Sequence, residues 1–77
     1  MPELPVLKTR EVLKALSAMG FQMVSQRGSH MKLKRHGEFK TFVVIVPNYN
    51  EISKRVLASI IRQSGLSREE FLKYVEK

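Results

Sequence analysis

The sequence predicts a single α+β domain in the order αβββαα, with a three-stranded antiparallel sheet and helices packed on one of its faces. Three observations predict this class. Two stretches place apolar residues at helical spacing, the stretches between them have the composition of strands, and a capping signal near the C-terminus opens a last short helix. Because a chain of 77 residues can bury only one core, we expect residues 1–77 to form one domain. Residues 1–8 precede the first predicted element and receive no assignment.

The first helix is predicted over Thr9–Met19. Thr9 can act as its N-cap, because a threonine hydroxyl can accept a hydrogen bond from a free backbone amide, and Gly20 provides the stop. The apolar stripe expected to face the core consists of Val12, Leu13, Leu16 and Met19.

Three strands are predicted next, over residues 21–27, 30–36 and 40–46. Tight turns separate them at "GS" (28–29) and "GE" (37–38). The third stretch, "KTFVVIV", is a run of β-branched and aromatic residues, so we expect it to be covered on more than one side.

The second predicted strand alternates between apolar and polar residues. Met31 and Leu33 would lie on one face, and His30, Lys32 and Lys34 on the other. We therefore expect the sheet face opposite the helices to be open and positively charged, with the histidine exposed on it.

The C-terminal part of the chain predicts two helices. The first runs over Ser53–Ser64 and stops at Gly65. Ser67 and Glu70 have the spacing of a capping box, which opens a third helix that continues through Val75.

Charge is the most informative feature of the composition. Fourteen Lys and Arg residues oppose seven acidic residues, all of them Glu, which gives a formal net charge of +7. So large a charge on so small a domain favours a polyanionic partner, either nucleic acid or an acidic protein, through long-range attraction and counterion release. A basic surface without a specific partner is the plainer interpretation.

Several classes of protein are not expected. The chain has no cysteine, so neither disulfides nor thiolate metal sites can form. Its longest apolar run, Phe42–Val46, is far shorter than the ~20 residues that span a bilayer. The opening segment "MPELPVLKTR" has no secretory-signal pattern. We therefore expect a cytoplasmic protein with no membrane partner.

His30 is the candidate catalytic residue. An imidazole can accept and return a proton near neutral pH. In RNA the 2′-hydroxyl is an internal nucleophile beside the scissile phosphate, so a base that removes its proton, with cations that stabilise the phosphorane, needs no metal and no protein nucleophile. Glycine in the turn lets the backbone approach the substrate. The residues expected to bind the RNA are Arg27, Gly28, Ser29, Lys32 and Lys34.

Plainer interpretations stand beside this one. A single histidine at the start of a strand is more often structural than catalytic, and His36 is most simply an exposed turn residue. Two histidines with no Asp or Cys nearby make a poor metal site, so we expect no cofactor. Phe39 and Tyr49 could stack on bases, although a phenylalanine more often packs in a core.

The chain resembles the HicA, or YcfA-like, family of toxins over about residues 9–72. Four segments carry the resemblance: a helix that ends in "LSAMGF", the turn and strand "QRGSHMKLKR", a strand that closes in "VIVP", and "ISKRVLASIIRQSGLSREEF". Gly-Ser-His after the first strand and Val-Pro at the end of the third are typical of that family. Their order and spacing together are more specific than either motif alone.

The resemblance implies a fold similar to a double-stranded-RNA-binding domain. It also implies a ribonuclease that cleaves messenger RNA and thereby stops translation, with His30 as the catalytic residue. Each such toxin is blocked by a HicB antitoxin, which implies a HicB-like protein partner. The chain differs from many family members at Met31, where they have a second histidine.

Two other functions remain open on the residues alone. The domain could be a non-catalytic RNA-binding module that uses its basic face, and it would then bind RNA in a salt-dependent way without breaking it. It could also be a protein-interaction domain for an acidic partner, with negligible affinity for RNA.

Overall fold

The computed structural model describes residues 3–75, and the order of helices and strands in them confirms the predicted α+β class. Two short strands accompany the predicted elements. The elements are β1 (Leu7–Lys8), α1 (Thr9–Ala18), β2 (Gln22–Arg27), β3 (His30–His36), β4 (Thr41–Pro47), β5 (Glu51–Ile52), α2 (Lys54–Ser64) and α3 (Arg68–Val75).

Strands β2, β3 and β4 form the predicted antiparallel sheet, with β3 in the centre. The β2–β3 hairpin closes with Arg27 opposite His30, and β4 places Pro47 on the other side of His30. A bulge between Met23 and Ser25 interrupts the pairing of β2 with β3. The combination of antiparallel sheet and helices is consistent with a double-stranded-RNA-binding-domain-like fold.

The core lies on one face of this sheet, as the alternation in β3 predicts. Met31 and Leu33 are buried, and β4 contributes Val44 and Val46 beside them. Burying such side chains away from water supplies most of the stabilisation of a small domain. The helices cover the same side with the fully buried residues Val12, Leu16, Leu57, Ile60 and Phe71.

Strand β4 is covered on one face only, so the expectation of cover on more than one side is wrong. Ile45, which lies between the buried Val44 and Val46, is 38% exposed. The β-branched run reflects the preference of such residues for extended backbone. A β-branched run therefore does not by itself indicate that both faces of the strand are buried.

The start of α1 also differs from the prediction. Lys8 is the N-cap, and its backbone amide donates to the carboxylate Oε1 of Glu11 at 2.9 Å. Thr9 lies inside the helix instead, where its hydroxyl donates to the carbonyl oxygen of Tyr49. The Thr9 hydroxyl therefore bonds to a residue that is distant in the sequence and does not cap the helix.

Both C-terminal helices begin as predicted, and α2 also ends as predicted. Ser53 caps α2 by accepting from the backbone amide of Val56 at 3.3 Å, and Gly65 ends it with a left-handed φ of 82°. The capping box is present at α3, since the Ser67 amide donates to Glu70 and the Glu70 amide donates to the Ser67 hydroxyl, both at 3.2 Å.

Residues before the first helix contribute to the core, which the sequence did not indicate. Leu4 and Leu7 are each only 6% exposed. β1 pairs with β5 in a second, antiparallel two-stranded sheet, with Leu7 opposite Ile52. The N-terminal segment is thereby tied to the chain just before α2.

The helix-facing side of the sheet ends in an arginine between aromatic rings. Arg35 lies with its guanidinium carbon 4.4 Å from the centre of the Phe42 ring and 5.4 Å from that of Phe21. Such contacts stabilise a cation that lacks a carboxylate partner. None of the helices within residues 3–75 is long and apolar enough to cross a membrane.

A candidate nucleic-acid interface around His30

The candidate site begins at the two-residue turn between β2 and β3. Gly28 has a φ of +58°, and no other described residue has a positive φ apart from Gly20 and Gly65. A positive φ at the first central residue alone is the sign pattern of a type II′ turn, which favours Gly at that position. The Gly-Ser pair therefore sets the hairpin geometry that starts β3 at His30.

The turn is fixed to the end of β4 and remains open on its outer side. The carbonyl oxygen of Ser29 accepts a 2.6 Å hydrogen bond from the backbone amide of Asn48. No atom among residues 3–75, apart from its chain neighbours, lies within 4 Å of the position that a Cβ on Gly28 would take. The backbone at Gly28 is therefore accessible to a ligand.

The open face of the sheet brings together the predicted site residues. His30 is exposed at the start of β3, and Arg27 lies opposite it on β2. Lys32 and Lys34 follow on the same face of β3, because side chains two residues apart in a strand point the same way. Gly28 and Ser29 lie at the end of this face, in the turn.

The charges of this face have one sign. Strands β2, β3 and β4 contain no acidic residue. Within residues 3–75 the ion pair that forms is between Lys54 and Glu3, at 3.2 Å, away from the sheet. Arg27, Lys32 and Lys34 therefore remain available to an anion from outside the domain.

A shallow concavity of about 480 Å³ lies beside the histidine. Three of its lining residues, Arg27, His30 and Lys32, were predicted from the sequence. Ser25 and Ile45, which line the same concavity from the neighbouring strands, were not predicted. Both lie directly opposite Lys32, so only the pairing register could have identified them.

His36 lies far from this concavity. It ends β3 six residues after His30, about 20 Å along the strand. Its Nδ1 is 3.2 Å from the Thr41 hydroxyl. The side chain is exposed, as predicted, but the residue pairs with Thr41 as the last residue of β3 and does not lie in the turn. Among residues 3–75 no side chain forms a hydrogen bond or ion pair with His30, and no group of three or more His, Asp or Glu residues could hold a metal.

Met31 lies on the face of the sheet opposite His30. It is buried in the core with Leu33 and Val46. The side chain at position 31 therefore points toward the core, although Met31 also borders the concavity between its neighbours His30 and Lys32. In this backbone, a second histidine at that position would not stand beside the first one.

Residues 9–66 match a family model described as the HicA toxin of bacterial toxin–antitoxin systems. The chain belongs to the HicA toxin family. The match covers most of the chain and contains the whole open face, the turn and α2. No curated protein matches this sequence. Membership of the HicA family implies a toxin role and a HicB-type antitoxin as partner.

Proposed function

We propose that this HicA-family protein is a metal-independent endoribonuclease that cleaves messenger RNA and so inhibits translation, with His30 as its general acid and base. One observation carries the proposal: an exposed imidazole stands on a sheet face that has cations and no acidic residue. A phosphodiester can approach such a face without displacing a carboxylate.

The proposed reaction uses the 2′-hydroxyl of the RNA as nucleophile. The imidazole of His30 removes the 2′-hydroxyl proton while the 2′-oxygen attacks phosphorus, and the bond from phosphorus to the 5′-oxygen breaks. The 5′-oxygen leaves with a proton from the imidazolium or from water. The products are a 2′,3′-cyclic phosphate and a 5′-hydroxyl, so no oxidant and no metal takes part.

The neighbouring groups would stabilise the charged phosphorane. Arg27, opposite His30, and Lys32, two residues along, supply positive charge beside the concavity. The exposed backbone of Gly28 and the Ser29 hydroxyl lie at the open end, where either can donate to a phosphate oxygen. Lys34 lies further along β3, where it would hold a phosphate farther from the cleaved bond.

Cleavage of RNA in the presence of EDTA tests the proposal. We expect the purified protein to cut RNA and to leave 2′,3′-cyclic phosphates, and His30→Ala to abolish cutting while circular dichroism and thermal unfolding stay unchanged, because the side chain is exposed. His36→Ala is the matched control, since it removes an exposed histidine from the other end of the same strand. Equal loss in both variants, or full cutting by a folded His30→Ala protein, contradicts the assignment.

A further inference from the structure

The open face is organised in parallel rows that differ in chemistry. On β3, Lys32 and Lys34 form a cationic row. On β4, Ile45 lies opposite Lys32 and Val43 lies opposite Lys34. Neighbouring strands are about 4.8 Å apart, so an apolar row runs directly alongside the cationic one.

On the other side of the cationic row, the β2 residues that pair with the lysines are polar, while Val24 in the bulge between them is 51% exposed. Ser25 lies opposite Lys32, and Gln22 lies opposite Lys34. The face is therefore asymmetric across its width, with hydrogen-bonding groups on β2, cations in the middle and aliphatic side chains on β4. A single-stranded polynucleotide has a matching asymmetry, because one side carries phosphate and ribose and the other carries the bases.

The spacing along β3 also matches a polynucleotide. Side chains on one face of a strand repeat every two residues, or about 6.6 Å. That interval is comparable to the distance between successive phosphates of an extended single strand. Lys32 and Lys34 can therefore each contact one phosphate, in line with a scissile phosphate held at His30.

Beyond the end of β3, an aromatic ring with almost no cover lies in the turn that leads to β4. Phe39 lies in the turn that joins β3 to β4 and is 92% exposed. A phenylalanine in that position adds little to folding, because burial of its ring is what would stabilise the domain. Exposed aromatic rings beside a cationic groove are the platforms on which unpaired bases stack.

We infer that the open face binds single-stranded RNA lengthwise along β3, with the bases over Ile45 and Val43, and that a base about three nucleotides from the cleaved bond stacks on Phe39. This inference rests on the proposed function for the position of the cleaved bond. The bases of double-stranded RNA are paired and cannot stack on the ring, so this mode of binding is specific to a single strand.

Binding measurements on the His30→Ala protein test the inference without cleavage. With a fluorescent single-stranded RNA of several nucleotides, we expect Phe39→Ala to raise Kd about tenfold. Phe39→Trp should keep the affinity. Phe39→Leu should weaken binding as much as Phe39→Ala does, because leucine is apolar but has no ring on which a base can stack. Val6→Ala, which trims another exposed apolar side chain, is the control and should have no effect. Unchanged affinity in Phe39→Ala, or wild-type affinity in Phe39→Leu, overturns the stacking.

A cleavage series locates the ring relative to the cut bond. For the wild-type protein, kcat/KM should rise as nucleotides are added on one side of the cut, up to about three or four, and Phe39→Ala should lose only the last increase. If the wild-type protein cuts no RNA, the proposed function fails, while the binding measurements still decide the inference. If Phe39→Ala weakens a complex with an antitoxin but leaves RNA affinity unchanged, the ring is a protein contact and the inference is wrong.

Discussion

The salt dependence of RNA binding gives the sharpest quantitative test of the open face. Each cation that neutralises a phosphate of a single strand contributes about −0.7 to the slope of log K against log salt concentration. Arg27, Lys32 and Lys34 lie on one face, with no acidic residue on its strands to compete for them. If all three contact phosphates, the slope is about −2, and affinity falls about 20-fold between about 50 and 200 mM salt.

Removing one cation should change that slope by a fixed amount. In the His30→Ala background, which keeps the RNA intact, Lys32→Ala or Lys34→Ala should reduce the slope to about −1.4 and the loss of affinity over the same range to about sevenfold. The assay is fluorescence anisotropy of a labelled single-stranded RNA titrated at several salt concentrations. Lys14→Ala is the control, because Lys14 is an exposed cation on α1, away from the strands of the open face. Slopes that do not change in the strand variants, or that change equally in Lys14→Ala, refute the assignment of phosphate contacts to this face.

Two further predictions concern stability and are measured by urea unfolding. Gly65 has a φ of +82°, and a Cβ there would overlap the Phe42 ring, so Gly65→Ala should lower the free energy of unfolding by about 2–5 kcal/mol. Gly28 has a φ of +58° but lies in open space, so Gly28→Ala should lower it by only about 1–2 kcal/mol. Equal losses in the two variants would refute the role of the ring. Leu4→Ala should lower the free energy of unfolding by about 2 kcal/mol because Leu4 is buried. Val6→Ala, at an exposed position, should change it by no more than about 0.5 kcal/mol. If Leu4→Ala is as stable as Val6→Ala, the side chain of Leu4 adds nothing to the core.

The features that follow from local sequence were predicted well. Gly20 and Gly65 end α1 and α2 through backbone conformations that other residues rarely adopt. The reciprocal bonds of Ser67 and Glu70 need only three-residue spacing, and both form. The alternation in β3 depends only on the two-residue repeat of a strand, and it correctly predicted that Met31 is buried and His30 exposed.

Features that depend on distant partners were missed or predicted wrongly. Thr9 was assigned to capping, but its hydroxyl donates to Tyr49, forty residues away along the chain. β1 and β5 have two residues each, too few to show any periodicity, so their pairing has no local signal. The exposure of Ile45 depends on which side of the sheet the helices take, which its own β-branched neighbours do not reveal.

By itself, the sequence determined which chemical groups the candidate site offers: an imidazole after a Gly-Ser turn, two lysines at strand spacing behind it, and a strong positive charge. Only the tertiary structure decided what lies beside them. The bulge near Val24 shifts the register of β2, so that Met23, which stays 49% exposed, pairs with Leu33, and polar Gln22, not Met23, lies opposite Lys34. A shift of one residue exchanges the two faces of a strand, and it is settled by packing across the sheet, which no local pattern encodes.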